Sequence, residues 1–107
     1  MTKEQVKQEL TEIKYYSLVL KEGEGSNYFI SPGKKINYLL DKYDAIMEEA
    51  DYRLYVIYQG KYIDCLKQVA LASFLKVSVD TIKRRHTKLI EYLAEELTKR
   101  ENALKSG

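Results

Sequence analysis

Residues 67–93 read KQVALASFLKVSVDTIKRRHTKLIEYL, and their pattern decides how the chain is organised. Leu71, Ala72 and Leu75 put an apolar stripe on one side of a first helix. Ala72 is small where two crossing helices must approach closely. Val77 is a lone apolar residue that tucks under a turn. Ser78 is a strong N-cap, because its hydroxyl accepts from the free backbone N–H groups of the next turn. Asp80 adds negative charge where the helix dipole is positive. Ile82, Leu89, Leu93 and Leu97 continue one buried face at helical spacing. Val79, Asp80, Lys83, Arg84 and Thr87 are left pointing outward. The stretch therefore reads as helix, tight turn and second helix with a basic outer face, the shape that places side chains in a major groove.

Working outward, the charge follows the same unit. Residues 60–90 hold seven basic and two acidic side chains, a net +5, within a chain whose total is only +2. Localised rather than total charge is what neutralises phosphates. The sequence thus places double-stranded DNA as the partner. Lys83, Arg84, Val79 and Asp80 are expected at base edges. Ser78, Thr87, Lys88, Lys67 and Gln68 are expected on phosphates, and Thr81 lies in the same first turn.

Ala72, Leu75, Val77, Ser78, Thr81, Ile82, Lys83 and Arg85 resemble the helix-turn-helix of the fourth region of bacterial sigma factors. The continuation, Lys83-Arg84, Lys88-Leu89-Ile90 and Leu93-Ala94-Glu95-Glu96-Leu97, resembles phage transcriptional regulators of the RinA and ArpU type. The likeness covers the last third of the chain. It implies a sigma-like activator of late phage genes, with RNA polymerase as a second partner. The sequence departs from the pattern in two places. Lys76 stands where many such turns have Gly, so the turn is made without a φ-permissive residue. The segment from Gly60 to Ala72 is also longer than in sigma factors.

The remaining residues read as support. Thr2 with Gln5 forms a capping box for a helix from Lys3 to about Leu20. Val6, Leu10, Ile13, Tyr16 or Ser17, and Leu20 follow helical spacing along it. Gly23, Gly25, Ser26 and Asn27 break it, Tyr28-Phe29-Ile30 is a short apolar piece, and Ser31-Pro32-Gly33 is a turn. A long second helix fits Lys34 to Tyr58, with Gly60 as its C-terminal cap. Asp64 is the candidate N-cap of the first motif helix. The expected architecture is all-α with about four helices in a single domain over 1–107. Residues 1–59 form an N-terminal supporting part and 64–100 the helix-turn-helix part.

Chemistry other than binding finds little footing. His86, the only histidine, cannot make a zinc site with one distant Cys65. It lies on the inner side of the second motif helix and reads as packed or phosphate-facing. Cys65 shows no base nearby and reads as a small buried residue. Glu48, Glu49 and Asp51 have the composition of a Mg²⁺ cluster but sit on the outside of a long helix. Neither a metal, a cofactor nor a small-molecule substrate is expected, and the chain is read as a non-enzyme. No apolar run approaches a membrane span. The charged start, MTKEQVKQEL, lacks the apolar core of a signal peptide, so a cytoplasmic protein is expected. Ten tyrosines and no tryptophan point to a core and a dimer interface whose hydroxyls stay wet, rather than to base stacking. Tyr55, Tyr58, Ile90, Tyr92, Leu93, Leu97 and Leu104 are the candidates for self-association. Two rivals stand beside the DNA-reading regulator. One is a small terminase-like packaging subunit, and the other is a protein–protein adaptor or anti-repressor without DNA binding.

Overall fold

Among residues 1–22 and 33–106, which the computed structural model describes, every regular element is helical. The helices are α1 (Lys3–Glu22), α2 (Lys34–Glu48), α3 (Tyr52–Tyr58), α4 (Gln68–Leu75) and α5 (Val79–Ser106), with a π-helical turn at Gln59–Ile63 between α3 and α4. The all-α expectation holds, with five helices rather than about four. The glycine-rich break after α1, the Tyr28-Phe29-Ile30 piece and the start of the Ser31-Pro32-Gly33 turn lie outside the described residues.

The start of α1 is built as its sequence implies. Thr2 N–H donates to Gln5 Oε1 at 2.8 Å, and Gln5 N–H donates to Thr2 Oγ1 at 3.2 Å. Val6, Leu10 and Ile13 bury one face completely. α1 lies along α5 in the opposite sense. Met1 N is 3.0 Å from Thr98 Oγ1, Lys3 pairs with Glu91 at 3.7 Å, and the far end of α1 reaches the π-helical turn.

The single long second helix does not form. Its run stops after Glu48, where Glu49 and Ala50 N–H groups bond three residues back, to Ile46 and Met47 carbonyls at 3.2 Å. Asp51 then leaves helical geometry and its Oδ1 accepts from Arg53 N–H at 2.8 Å, capping α3. The side chain competes with the backbone for that donor, which is why Asp favours caps over helix interiors. The apolar period runs on through Leu54 and Ile57, so hydrophobic spacing alone conceals the break.

Gly60 does not cap a helix either. It sits buried inside the π-helical turn, and a Cβ there would lie 2.6 Å from Leu71 Cδ1. The missing side chain is what lets α4 approach this turn. Asp64 also fails as a cap. Its N–H closes the turn on Gln59 O at 2.8 Å, Cys65 follows in left-handed geometry (φ 58°), and α4 starts later with Lys67 at the N-cap and no side-chain cap bond.

One core joins all these elements. Tyr43, Tyr58 and Tyr62 contribute rings to it and keep their hydroxyls bonded, Tyr43 to Glu9 Oε1 at 2.7 Å and Tyr58 to Asp44 Oδ1 at 3.0 Å. The core reading of the tyrosines therefore holds for these three, while Tyr15, Tyr38 and Tyr52 are exposed. α5 places Ile82, Leu89, Ile90, Leu93 and Leu97 in the same cluster. At roughly 2 kcal/mol per buried aliphatic side chain, turning this helix to show another face costs several kcal/mol, so its outward face is fixed. Tyr58, Ile90, Leu93 and Leu97 are consumed internally, which leaves Tyr55 and Leu104 as the exposed members of the expected self-association set.

Candidate nucleic-acid interface

α4 and α5 pack together across a tight turn whose geometry follows from four consecutive residues. Leu75 ends α4. Lys76 takes left-handed geometry (φ 58°, ψ 44°), with its N–H on Ser73 O at 3.2 Å and Val77 N–H on Ala72 O at 3.0 Å. This pair of bonds is a Schellman closure, normally served by Gly. Val77 is half-buried against the core, and Ala72 is buried where α4 meets α5. Ser78 then caps α5, with Oγ accepting from Thr81 N–H at 3.1 Å.

The cap reaches further than the first turn. Ser78 Oγ lies 2.9 Å from Thr81 Oγ1, and Arg84 Nη2 donates to Thr81 Oγ1 at 3.2 Å. A hydroxyl relay thus ties the guanidinium of Arg84 to the helix start. The sequence names Ser78, Thr81 and Arg84 separately, but their connection appears only in three dimensions.

Most of the expected site residues share the outer face. Asp80, Lys83, Arg84, Thr87 and Lys88 are exposed on α5, and Lys67 is exposed at the start of α4, with Gln68 half-buried beside it. Thr87 Oγ1 donates back to Lys83 O at 3.1 Å, which leaves its lone pairs outward. Val79 differs from expectation. It is half-buried and packed against the core, because the first residue of α5 comes back under the same face as Ile82 and His86. Val79 therefore does not belong with the outward residues. Arg85, half-buried on the same turns, is a further cation that the sequence-based site set omits. Among the described residues, no carboxylate pairs with Lys83, Arg84, Arg85 or Lys88.

The basic stretch ends abruptly. From Glu91 onward α5 holds four acidic and three basic side chains, and its carboxylates are engaged, among them Glu91 with Lys3, and Glu95 and Glu96 with Lys99 at 3.4 and 3.6 Å. At about 1.5 Å per residue the basic part spans only about 14 Å, close to what the width of a major groove admits.

His86 is held on the inner side of α5 by a hydrogen bond between its Nε2 and the hydroxyl of Tyr62. Burial, and then Lys61, Lys7 and Lys14, push its pKa down to about 4. The ring is neutral near pH 7, and Tyr62, whose own pKa burial raises to about 12, keeps its proton, so the hydrogen-bonded pair is uncharged. Cys65 is half-buried with its thiol pushed up by burial, against the opposing pull of Lys14 and Lys21, so little thiolate forms near neutrality. Glu48, Glu49 and Asp51 do not converge. Asp51 is a cap, Glu49 lies 3.9 Å from Arg100, and no group of three candidate metal ligands occurs among the described residues. No helix of the described residues is long and apolar enough to cross a membrane.

In comparisons with protein-family models, with curated proteins and with solved structures, no match to this chain was found.

Proposed function

We propose that this protein is a sequence-specific DNA-binding transcriptional regulator that lays the first turns of α5 in the major groove of duplex DNA. The observation that carries this reading is the outer face of α5. Its N-terminal turns are basic, exposed and, among the described residues, without carboxylate partners, while its opposite face is locked into the core. Lys83 and Arg84 supply donors for guanine edges, and Asp80 supplies an acceptor for cytosine. Lys88, Lys67 and the Ser78 turn lie where they can bear on phosphates and set register. The resemblance to sigma region four and to the RinA and ArpU regulators extends the reading to activation of late phage genes, in which RNA polymerase is the second partner.

Selection from a random-sequence duplex library tests the reading directly. Wild-type protein enriches one motif, and Lys83→Ala with Arg84→Ala, folded by circular dichroism, enriches none. Both side chains are exposed, so their removal leaves the core intact. If the double variant selects the same motif, the groove assignment is wrong. A wild type that binds no duplex even at low salt removes DNA from the account.

A further inference from the structure

Large apolar side chains scattered singly over a surface need no partner, but those of this chain are not scattered. Among the described residues, half of the large hydrophobic side chains left exposed stand around one groove: Leu20 from α1, Tyr52 and Tyr55 from α3, and Phe74 from α4. The groove has a volume of about 700 Å³, and the π-helical turn forms part of its wall. Phe74 is 78% exposed and Tyr52 75%, so both rings project into solvent at its rim. Among the described residues, none of α5 lines it. Whatever covers this groove therefore leaves Lys83, Arg84 and their neighbours open.

The area fits a protein partner. An aromatic side chain carries about 150–250 Å², so at their exposures Phe74, Tyr52 and Tyr55 leave roughly 400 Å² of ring surface in water. A standard interface takes about 800 Å² from each partner. The rings alone reach about half of one side, and the groove wall lies between them.

Two properties make a second copy of this chain the fitting occupant. The surface holds a knob and a hole together, because Phe74 projects from the rim of the groove. In a two-fold contact both copies give the same patch, so each Phe74 enters the other copy's groove. The charges are self-complementary as well. Lys21 and Asp64 line the same groove and are exposed, and Lys21 Nζ donates to Asp64 O at 3.3 Å, so the two residues stand side by side. Neither side chain is in an ion pair among the described residues. A two-fold axis beside them sets each against its opposite in the other copy. A partner of one charge sign would leave one of them facing its own sign.

We propose that this protein forms a two-fold dimer through the groove between α1, α3 and α4, with Phe74 of each copy seated in the groove of the other and Lys21 facing the partner's Asp64. The pairing rests on the groove alone. Its use, presenting two α5 faces to one duplex, rests on the DNA-reading function of α5.

Sedimentation of the full chain over a range of micromolar concentrations tests the pairing without DNA. The mass should climb from 12.5 kDa toward twice that value. Phe74→Asp and Tyr52→Asp, each judged folded by circular dichroism, should hold it at 12.5 kDa. Val69→Asp, exposed on α4 outside the groove, and Leu104→Asp, exposed at the end of α5, should dimerise as wild type does. Lys21→Asp and Asp64→Lys should each dimerise several-fold more weakly alone and regain the wild-type mass when mixed, which a merely structural role of either residue would not produce. A wild type that stays at 12.5 kDa, a ring of many copies, or a dimer broken by Leu104→Asp and not by Phe74→Asp overturns the proposal. A monomer that still selects a motif overturns the dimer and leaves the α5 reading standing, whereas a dimer that binds no duplex upholds the pairing and overturns that reading. Where both hold, the selected motif is an inverted repeat with half-sites about one helical turn, or a multiple of it, apart.

Discussion

Replacing Lys76 with glycine should stabilise this protein, although it removes a residue of the site region. Lys76 is exposed and sits at φ 58°, ψ 44°, the left-handed conformation that closes α4. An L-residue with a side chain is disfavoured there by about 1–2 kcal/mol. Glycine escapes that term but loses more backbone freedom on folding, by about 0.5–1 kcal/mol. The difference favours Lys76→Gly by about 0.5–1 kcal/mol. For a domain of this size that raises the melting temperature by about 2–8 °C. Relief of charge repulsion is the competing explanation, since Lys76 belongs to the basic stretch. Lys76→Ala separates the two, because it removes the same charge and keeps the strained backbone; its effect should stay within about 0.5 kcal/mol of wild type. Urea unfolding followed by circular dichroism reads both variants. Equal stabilisation by alanine and glycine would show that charge, not φ, sets the cost. A lower melting temperature for the glycine variant would refute the backbone account altogether.

Ser78→Ala should lower stability by roughly 1 kcal/mol through the missing cap. It should also weaken binding to the selected duplex more than Thr87→Ala does, because the Ser78–Thr81–Arg84 relay loses its first member; an unaltered melting curve would place the helix start elsewhere. The third expectation concerns pH. His86 has a folded-state pKa of about 4 against 6.5 when free, so the unfolded chain takes up the proton first as pH falls. Its contribution is complete above about pH 6.5 and is lost as pH drops toward 4, to the extent of about 1 kcal/mol by pH 5 once solvent screening of a half-buried ring is allowed for. The charges of Lys61, Lys7 and Lys14 act in the same direction as burial. Urea midpoints at pH 7 and pH 5 should therefore fall further for wild type than for His86→Gln, and parallel losses in the two proteins would contradict the assignment.

Much of the α4–turn–α5 segment is legible in the chain because local rules and tertiary packing agree there. Ser78 as a cap, Val77 under the turn and Ile82 and Leu89 as the inner face of α5 all emerge as their residue types and spacing imply. The capping box of Thr2 and Gln5 is equally local. The errors fall where a pattern admits two backbones. An unbroken apolar period runs through Ala50 and Asp51, and only the Asp51 carboxylate seizing a backbone donor splits α2 from α3. Gly60 has the look of a helix end because glycine often is one, but here it makes room for Leu71. Val79 departs from its expected face at a helix start, where spacing is least informative.

By itself, then, the sequence determined the all-helical class, the turn and cap between α4 and α5, and which residues of α5 carry its charge, since these depend on periodicity and capping within a few residues. Tertiary structure decided the π-helical turn and the neutral His86 against Tyr62. Those features join residues far apart in the chain, or exchange one backbone hydrogen bond for another of nearly equal energy. The packing of α1 and α4 around the π-helical turn and α5 resolves both.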